Sequence, residues 1–139
     1  MTRRRIFFVL ALLMMCIALY GAMVLTSQKK FEQVKIVEIL DSPVEYEGKY
    51  VKIVGNYCGW KIPKDLPGPP ITSPPETRSD WIICDDTGWI YATARGAGPS
   101  LNPIEDYGAK ISVYAQVKIK IMNNVTVPYL YPIKVELTE

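Results

Sequence analysis

Residues 6–25, IFFVLALLMMCIALYGAMVL, form twenty consecutive positions without a charge. As a helix rising 1.5 Å per residue this run would reach about 30 Å, the thickness of a bilayer's hydrocarbon core. Arg3, Arg4 and Arg5 stand immediately before it, and Lys29 and Lys30 follow, partly offset by Glu32. The more positive flank is N-terminal, so the positive-inside rule predicts a cytoplasmic N-terminus and an exported remainder. Two other readings stay open. A cleaved signal peptide needs small residues before the cut, and cuts after Ala22 or Ser27 would place Tyr20 or Leu25 at the third position back. Cys16 is preceded by Met15 and makes a poor lipid acceptor. Each reading puts the C-terminal part outside the cytoplasm.

The expected organisation is an anchor over 1–27, a linker and short helix over 28–48, and a β-domain over 49–139. About 110 residues remain after the apolar run, which suffices for one modest core. The chain has no histidine. That excludes Ser-His-Asp and Cys-His catalysis, histidine-ligated zinc and a histidine pH switch. The chain has 16 basic and 14 acidic residues. Setting aside the three arginines leaves an exported part near −1. Nucleic-acid binders draw their affinity from basic surfaces, so this partner is disfavoured.

Residues 34–41 (VKIVEILD) place Val34, Ile36, Val37, Ile39 and Leu40 on a broad apolar arc, with Lys35 and Glu38 opposite, which suits a short helix. Pro43 disfavours helical geometry at Ser42 and ends it. A turn is expected at Glu45–Gly48, and thereafter the periodicity becomes two. Val51, Ile53 and Tyr57 share a parity. Asp80–Cys84 and Trp89–Ala94 are short β-rich runs joined by Asp85-Asp86-Thr87-Gly88, a tight-turn composition. Ile111, Val113, Ala115, Val117, Ile119 and Ile121 alternate with polar or aromatic neighbours. After Met122-Asn123-Asn124, residues Val127, Tyr129, Tyr131, Ile133, Val135 and Leu137 share a second face. Pro128 and Pro132 fall on its other parity, which predicts an edge or bulged strand. The sum is mainly β: a five-stranded barrel preceded by a short helix and an N-terminal transmembrane helix. Two long connections interrupt it, the Pro-rich 61–79 with six prolines, and 95–108.

The stretch ILDSPVEYEGKYVKIVGNY, followed by DWIICDDTGWIYAT, resembles OB-fold domains. The shared pattern is a short helix, a Tyr-x-Gly-Lys-x-Val-x-Ile-x-Gly first strand, a second strand, an Asp-Asp-Thr-Gly turn and a third strand. It is most similar to exported, membrane-anchored OB domains grouped with the anticodon-binding-like family. The resemblance covers 36–94 closely and 109–137 as alternation. The family's usual helix between the third and fourth strands is not evident. The resemblance implies an OB-like barrel, a fold that hosts many functions. A related exported family, the haem chaperone of cytochrome c maturation, attaches haem through a histidine that this chain lacks. No cofactor is expected, and no metal site.

OB folds commonly bind on the outer face of their second and third strands, often by stacking on aromatic rings. With Ile83 and Ile90 turned inward, Trp89 and Tyr91 face outward beside Ile82. They are candidate ligand or partner residues unless loops cover them. Trp60 and Trp81 are expected to anchor the Pro-rich loop. Asp85 and Asp86 read as turn formers rather than a catalytic pair. Lys118 and Lys120, with Lys110, form a basic stripe that is either solvated or in contact with phosphate or lipid headgroups. Asn124-Val125-Thr126 is a glycosylation sequon at an expected hairpin tip. Cys58 and Cys84 fall on outward parities of neighbouring OB strands, and an exported domain favours a disulfide between them over two separate thiols. The expected function is a non-catalytic, membrane-tethered extracytoplasmic binding or accessory module that meets an envelope or protein partner. The alternative is oligosaccharide or single-stranded nucleic-acid binding through the aromatic face.

Overall fold

The computed structural model describes residues 3–26 and 29–138, except for the side chains of 21–26. The expected anchor boundary at 27/28 and the cleavage candidate at Ser27 lie outside these. The chain forms two units, Met1–Lys30 and Phe31–Glu139. The first is a helix, α1 (Arg3–Thr26), whose described side chains from Arg3 to Tyr20 are all exposed. Among the described residues no helix is long and apolar enough to cross a membrane. The transmembrane helix expected from the sequence is thus not shown in the described part, where side chains reach only to Tyr20 and include the three arginines.

The second unit is mainly β. Its elements are β1 (Glu32–Gln33), α2 (Ile36–Asp41), α3 (Pro43–Tyr46), β2 (Tyr50–Gly59), β3 (Trp81–Cys84), β4 (Trp89–Ala92), β5 (Lys110–Met122) and β6 (Val125–Leu137). The order β2-β3-β4-β6-β5 returns to β2 through the β2–β5 pairing, which closes a five-stranded barrel. All contacts around the ring are antiparallel except β4–β6, which is parallel and pairs Ala92 with Leu130. A closed mixed barrel of this kind is compatible with an OB-like fold. β1, a two-residue parallel addition to β2, has no signal in the sequence.

Alternation drives the strands inward as expected. Val51, Ile53 and Tyr57 of β2, Ile83 and Ile90 of the hairpin, and Ile111, Val113, Ala115 and Val117 of β5 share one core with Val34, Ile36 and Ile39. The short helix therefore closes one end of the barrel. Ser42 leaves helical geometry (φ −138°, ψ 60°) before Pro43, as the proline requires. Pro43 then opens α3 as its first residue, a position where a missing N–H costs nothing. Between β4 and β5 there are turns and no helix.

β6 departs from the single apolar face expected of it. Leu130 lies in the barrel core, and Tyr129 lies outside it. Lys134 pairs with Tyr114 and Pro132 with Ala115, so Ile133 is the extra residue of a bulge. The bulge inverts parity: even residues point inward before it and Val135 after it.

Candidate interaction surface

The outer face of β3 and β4 is closed. Trp89, Tyr91 and Ile82 are 4, 3 and 0% exposed. With Cys58, Cys84 and Tyr129 they form a second apolar core, under Ile62, Leu66 and Ile71 of the Pro-rich loop. The Trp89 and Tyr91 rings meet edge to face at 5.5 Å. Trp89 N–H donates to Pro67 O (2.9 Å), and a Cβ at Gly68 would overlap the Trp89 indole. Of the two readings the sequence left open for these rings, the structure shows cover: the loop lies over them, and a ligand could reach them only by displacing it. Both faces of the strands are buried, which explains runs such as WIIC that show no alternation.

Cys58 and Cys84 form a disulfide with a Cα–Cα distance of 6.4 Å, within the span a bridge needs. The register shift of β2 falls between Tyr57 and Gly59, leaving Tyr57 inward and Cys58 on the outer face with Cys84.

Asp80 ties the loop's far end and escaped the sequence reading. It is fully buried. Its Oδ2 accepts from the backbone N–H of Glu76 (2.8 Å) and Thr77 (3.0 Å). Its Oδ1 accepts from Thr77 Oγ1 (2.7 Å), Thr93 Oγ1 (3.1 Å) and Ala94 N (2.9 Å). Burial pushes its carboxyl up, but the bonds from Thr77, Ala94 and Glu76 outweigh burial and hold it below its ordinary value. The signal was the Thr-x-x-Asp spacing beside a strand start. Next to it Glu76 accepts from Tyr129 Oη (2.9 Å) and lies 3.8 Å from Arg95 and 3.9 Å from Lys120. Burial foremost, then Glu76, pushes the Tyr129 phenol up to about 12.

The two lysines of the expected stripe differ. Lys120 Nζ donates to Pro75 O, fastening the loop. Lys118 is exposed with its ammonium 5.6 Å from the centre of the Tyr131 ring. Lys110 is exposed. Asn124 is exposed at the β5–β6 turn, where it and Asn123 have positive φ.

Asp85 is a turn former, as its context predicted, and also reaches α2. Oδ1 accepts from Thr87 N (2.8 Å), Thr87 Oγ1 (2.6 Å) and Gly88 N (3.1 Å). Oδ2 accepts from Ile36 N (2.9 Å), and Thr87 Oγ1 accepts from Val37 N (3.1 Å), so two open N–H groups of α2 are capped from 50 residues away. Replacing Asp85 by Ala should cost about 2 kcal/mol, between a lost cap and a lost charged hydrogen bond. Asp86, whose pair with Lys35 is exposed, should tolerate Ala without measurable loss. Urea unfolding of both variants checks this, and faster amide exchange at Ile36 and Val37 should accompany the Asp85 variant alone.

Exposed apolar side chains of the second unit include Val44, Ile121 and Leu137, and several others gather at the pole opposite α2. Trp60, expected to anchor the loop, is 56% exposed, while Trp81 is buried against Tyr57. The Trp81 Nε1–H is buried without a partner among the described residues. Trp60, Lys61, Pro103, Ile104 and Tyr107 line a hollow of about 520 Å³. A second, of about 480 Å³, adjoins it through Lys61 and Tyr107. Ile104 and Tyr107 are 78 and 47% exposed. The backbone beneath is fixed. Cys58 is bridged, Gly59 sits at φ +55°, and a Cβ there would overlap Pro103 O. Asn102 Oδ1 accepts from Ile104 N and Glu105 N (2.9 Å each), and Gly108 N donates to Tyr57 O (2.7 Å). Among the described residues no acidic and cysteine side chains gather as a metal site. No protein-family model and no curated protein matches the chain.

Proposed function

We propose that the chain is a non-catalytic binding or accessory module, anchored by its N-terminal segment and offering an extracytoplasmic OB-like barrel to an envelope or protein partner. The observation that carries it is the open pole: Trp60, Ile104 and Tyr107 stand exposed on rigid turns, while the aromatic face of β3 and β4 is filled by the chain's own loop. Exposed aromatic and aliphatic side chains grouped together mark interaction surfaces. The anchor rests on the uncharged twenty-residue run and the arginines before it. The disulfide suits an oxidising compartment.

A reporter fused after residue 139 should read as exported and one at the N-terminus as cytoplasmic. A cytoplasmic signal at 139 overturns the localisation. Purification in mild detergent should then retain a stoichiometric protein. A bound glycan or oligonucleotide instead would favour the alternative reading, with the rings of Trp60 and Tyr107 as its stacking surface.

A further inference from the structure

We propose that Asn124 is an N-glycosylation site, whose side-chain amide takes an oligosaccharide from a polyisoprenoid-phosphate-linked donor on the exported side of the membrane. The inference rests on the extracytoplasmic placement of the barrel and adds a covalent modification to it. Three observations converge on it. The first is chemical. Asn124-Val125-Thr126 supplies the acceptor amide, a middle residue other than proline and a hydroxyl two positions on. Neither the Asn124 nor the Thr126 side chain takes part in a hydrogen bond among the described residues. In the transfer, catalysed by a membrane-bound transferase, the amide nitrogen bonds to the anomeric carbon of the first sugar. The bond from that carbon to the lipid phosphate oxygen breaks, the phosphate leaves with the electron pair, and the nitrogen gives up one proton.

The second is geometry. Met122 pairs with Val125, so Asn123 and Asn124 alone make the turn, at φ 51° and 65°. This is the I′ hairpin pattern, and asparagine is among the residues that tolerate it. A sugar on the side-chain nitrogen leaves that backbone unchanged. Val51 pairs with Glu32, where the chain enters the barrel, and also with Ala115 of β5. At about 3.3 Å per residue, Met122 stands roughly 23 Å farther along β5 than Ala115. The exposed turn therefore lies well away from the point of entry, with room for a bulky group. The third is the surroundings. Ile121 and Val125 flank the turn and are 71 and 41% exposed. Met122, Asn123 and Val125 share a hollow of about 370 Å³ with Pro70, Ile71, Thr72 and Ser73, and no charged side chain lines it. An oligosaccharide leaving Asn124 finds apolar surface there for its ring faces and two hydroxyls for its polar groups.

The test uses the full chain purified from membranes of the cells that naturally make it, with a reporter fused after residue 139 recording export in the same cells. The tryptic peptide 121–134 is read by mass spectrometry with fragmentation that keeps sugars attached. It should carry a sugar mass on Asn124. Asn124→Asp, which keeps a residue suited to positive φ, should remove that mass, and Thr126→Ala should lower its occupancy at least tenfold. Thr126→Ser and Asn123→Gly should retain it. An unmodified 121–134 peptide from chains that report as exported overturns the site, as does a sugar retained in Asn124→Asp or in Thr126→Ala. Each of those results leaves the module reading untouched, whereas a cytoplasmic reporter overturns the localisation and the site together.

Discussion

Replacement of Asp80 by Ala is expected to cost about 3–5 kcal/mol in urea unfolding at pH 7. The carboxylate accepts five hydrogen bonds while fully buried. Hydrogen bonds to a charged group contribute about 1.5–3 kcal/mol each, and every buried donor left without an acceptor adds its own desolvation cost. The effects overlap, so the expectation lies far below their sum. The loss falls where the Pro-rich loop rejoins β3, so the loop's C-terminal end should fray first. The direction with pH follows from the lowered folded value. A group held lower in the folded chain stabilises it fully above the unfolded value of about 3.9, and that contribution fades as pH falls through the folded value. The gap between the natural chain and the Asp80→Asn variant should therefore be widest near neutral pH and narrow below about pH 4. A gap that stays constant down to pH 2 would mean that the charge of Asp80 contributes nothing and only its shape matters.

Strands facing one core were legible because period-two burial leaves a direct trace in sequence. β5 alternates from Ile111 to Val117, and the structure places those residues in the barrel core. The register of the β3–β4 hairpin, with Ile83 opposite Ile90 and Ile82 opposite Tyr91, also follows from the turn at Asp85–Gly88. Alternation stops being informative where a strand is covered on both sides. β3, β4 and residues 127–130 of β6 carry apolar residues at every position and are buried throughout, because one face meets the barrel core and the other the second core under the loop. With both parities apolar, the inward one of β6 had no marker, and a bulge at Ile133 then restored the expected parity for Val135. Trp89 and Tyr91 were read as outward, which they are with respect to the barrel. What sequence could not supply was the loop's path, since a proline-rich segment has no periodicity to align with the strands it covers. Trp60 misled for the same reason. Its neighbours Cys58 and Gly59 turn the chain at a bulge, and one residue decides whether a ring packs or protrudes.

Removal of the disulfide by a Cys58→Ala, Cys84→Ala double replacement is expected to cost about 3–4 kcal/mol. The bridge joins residues 26 apart in sequence. In the chain-entropy model, a closed loop of about 27 residues gives roughly 3.5 kcal/mol at 25 °C. The closed segment is the lid of the second core. Six prolines limit the backbone ladder it can form, and its ties to the barrel cluster at a few points: Trp89 N–H to Pro67 O, Lys120 to Pro75 O, Tyr129 to Glu76, and the Asp80 carboxylate to Glu76 and Thr77. The bridge enters the structure beneath it, since both cysteines are buried with Ile82, Trp89 and Tyr91. Loss of the cross-link should therefore appear locally as well as globally. Limited proteolysis between residues 61 and 79 should accelerate under native conditions, and solvent quenching of Trp89 fluorescence should rise before the barrel unfolds. Trp60 and Trp81 must be Phe for that signal to be assigned. A loss under about 1 kcal/mol with unchanged proteolysis would show that packing of Ile62, Leu66 and Ile71 holds the lid without the bridge. Accelerated proteolysis at an unchanged unfolding midpoint would place the loop in a cooperative unit separate from the barrel. The first outcome leaves the open pole unaffected. The second would loosen Trp60, two residues beyond Cys58, in step with loop cleavage.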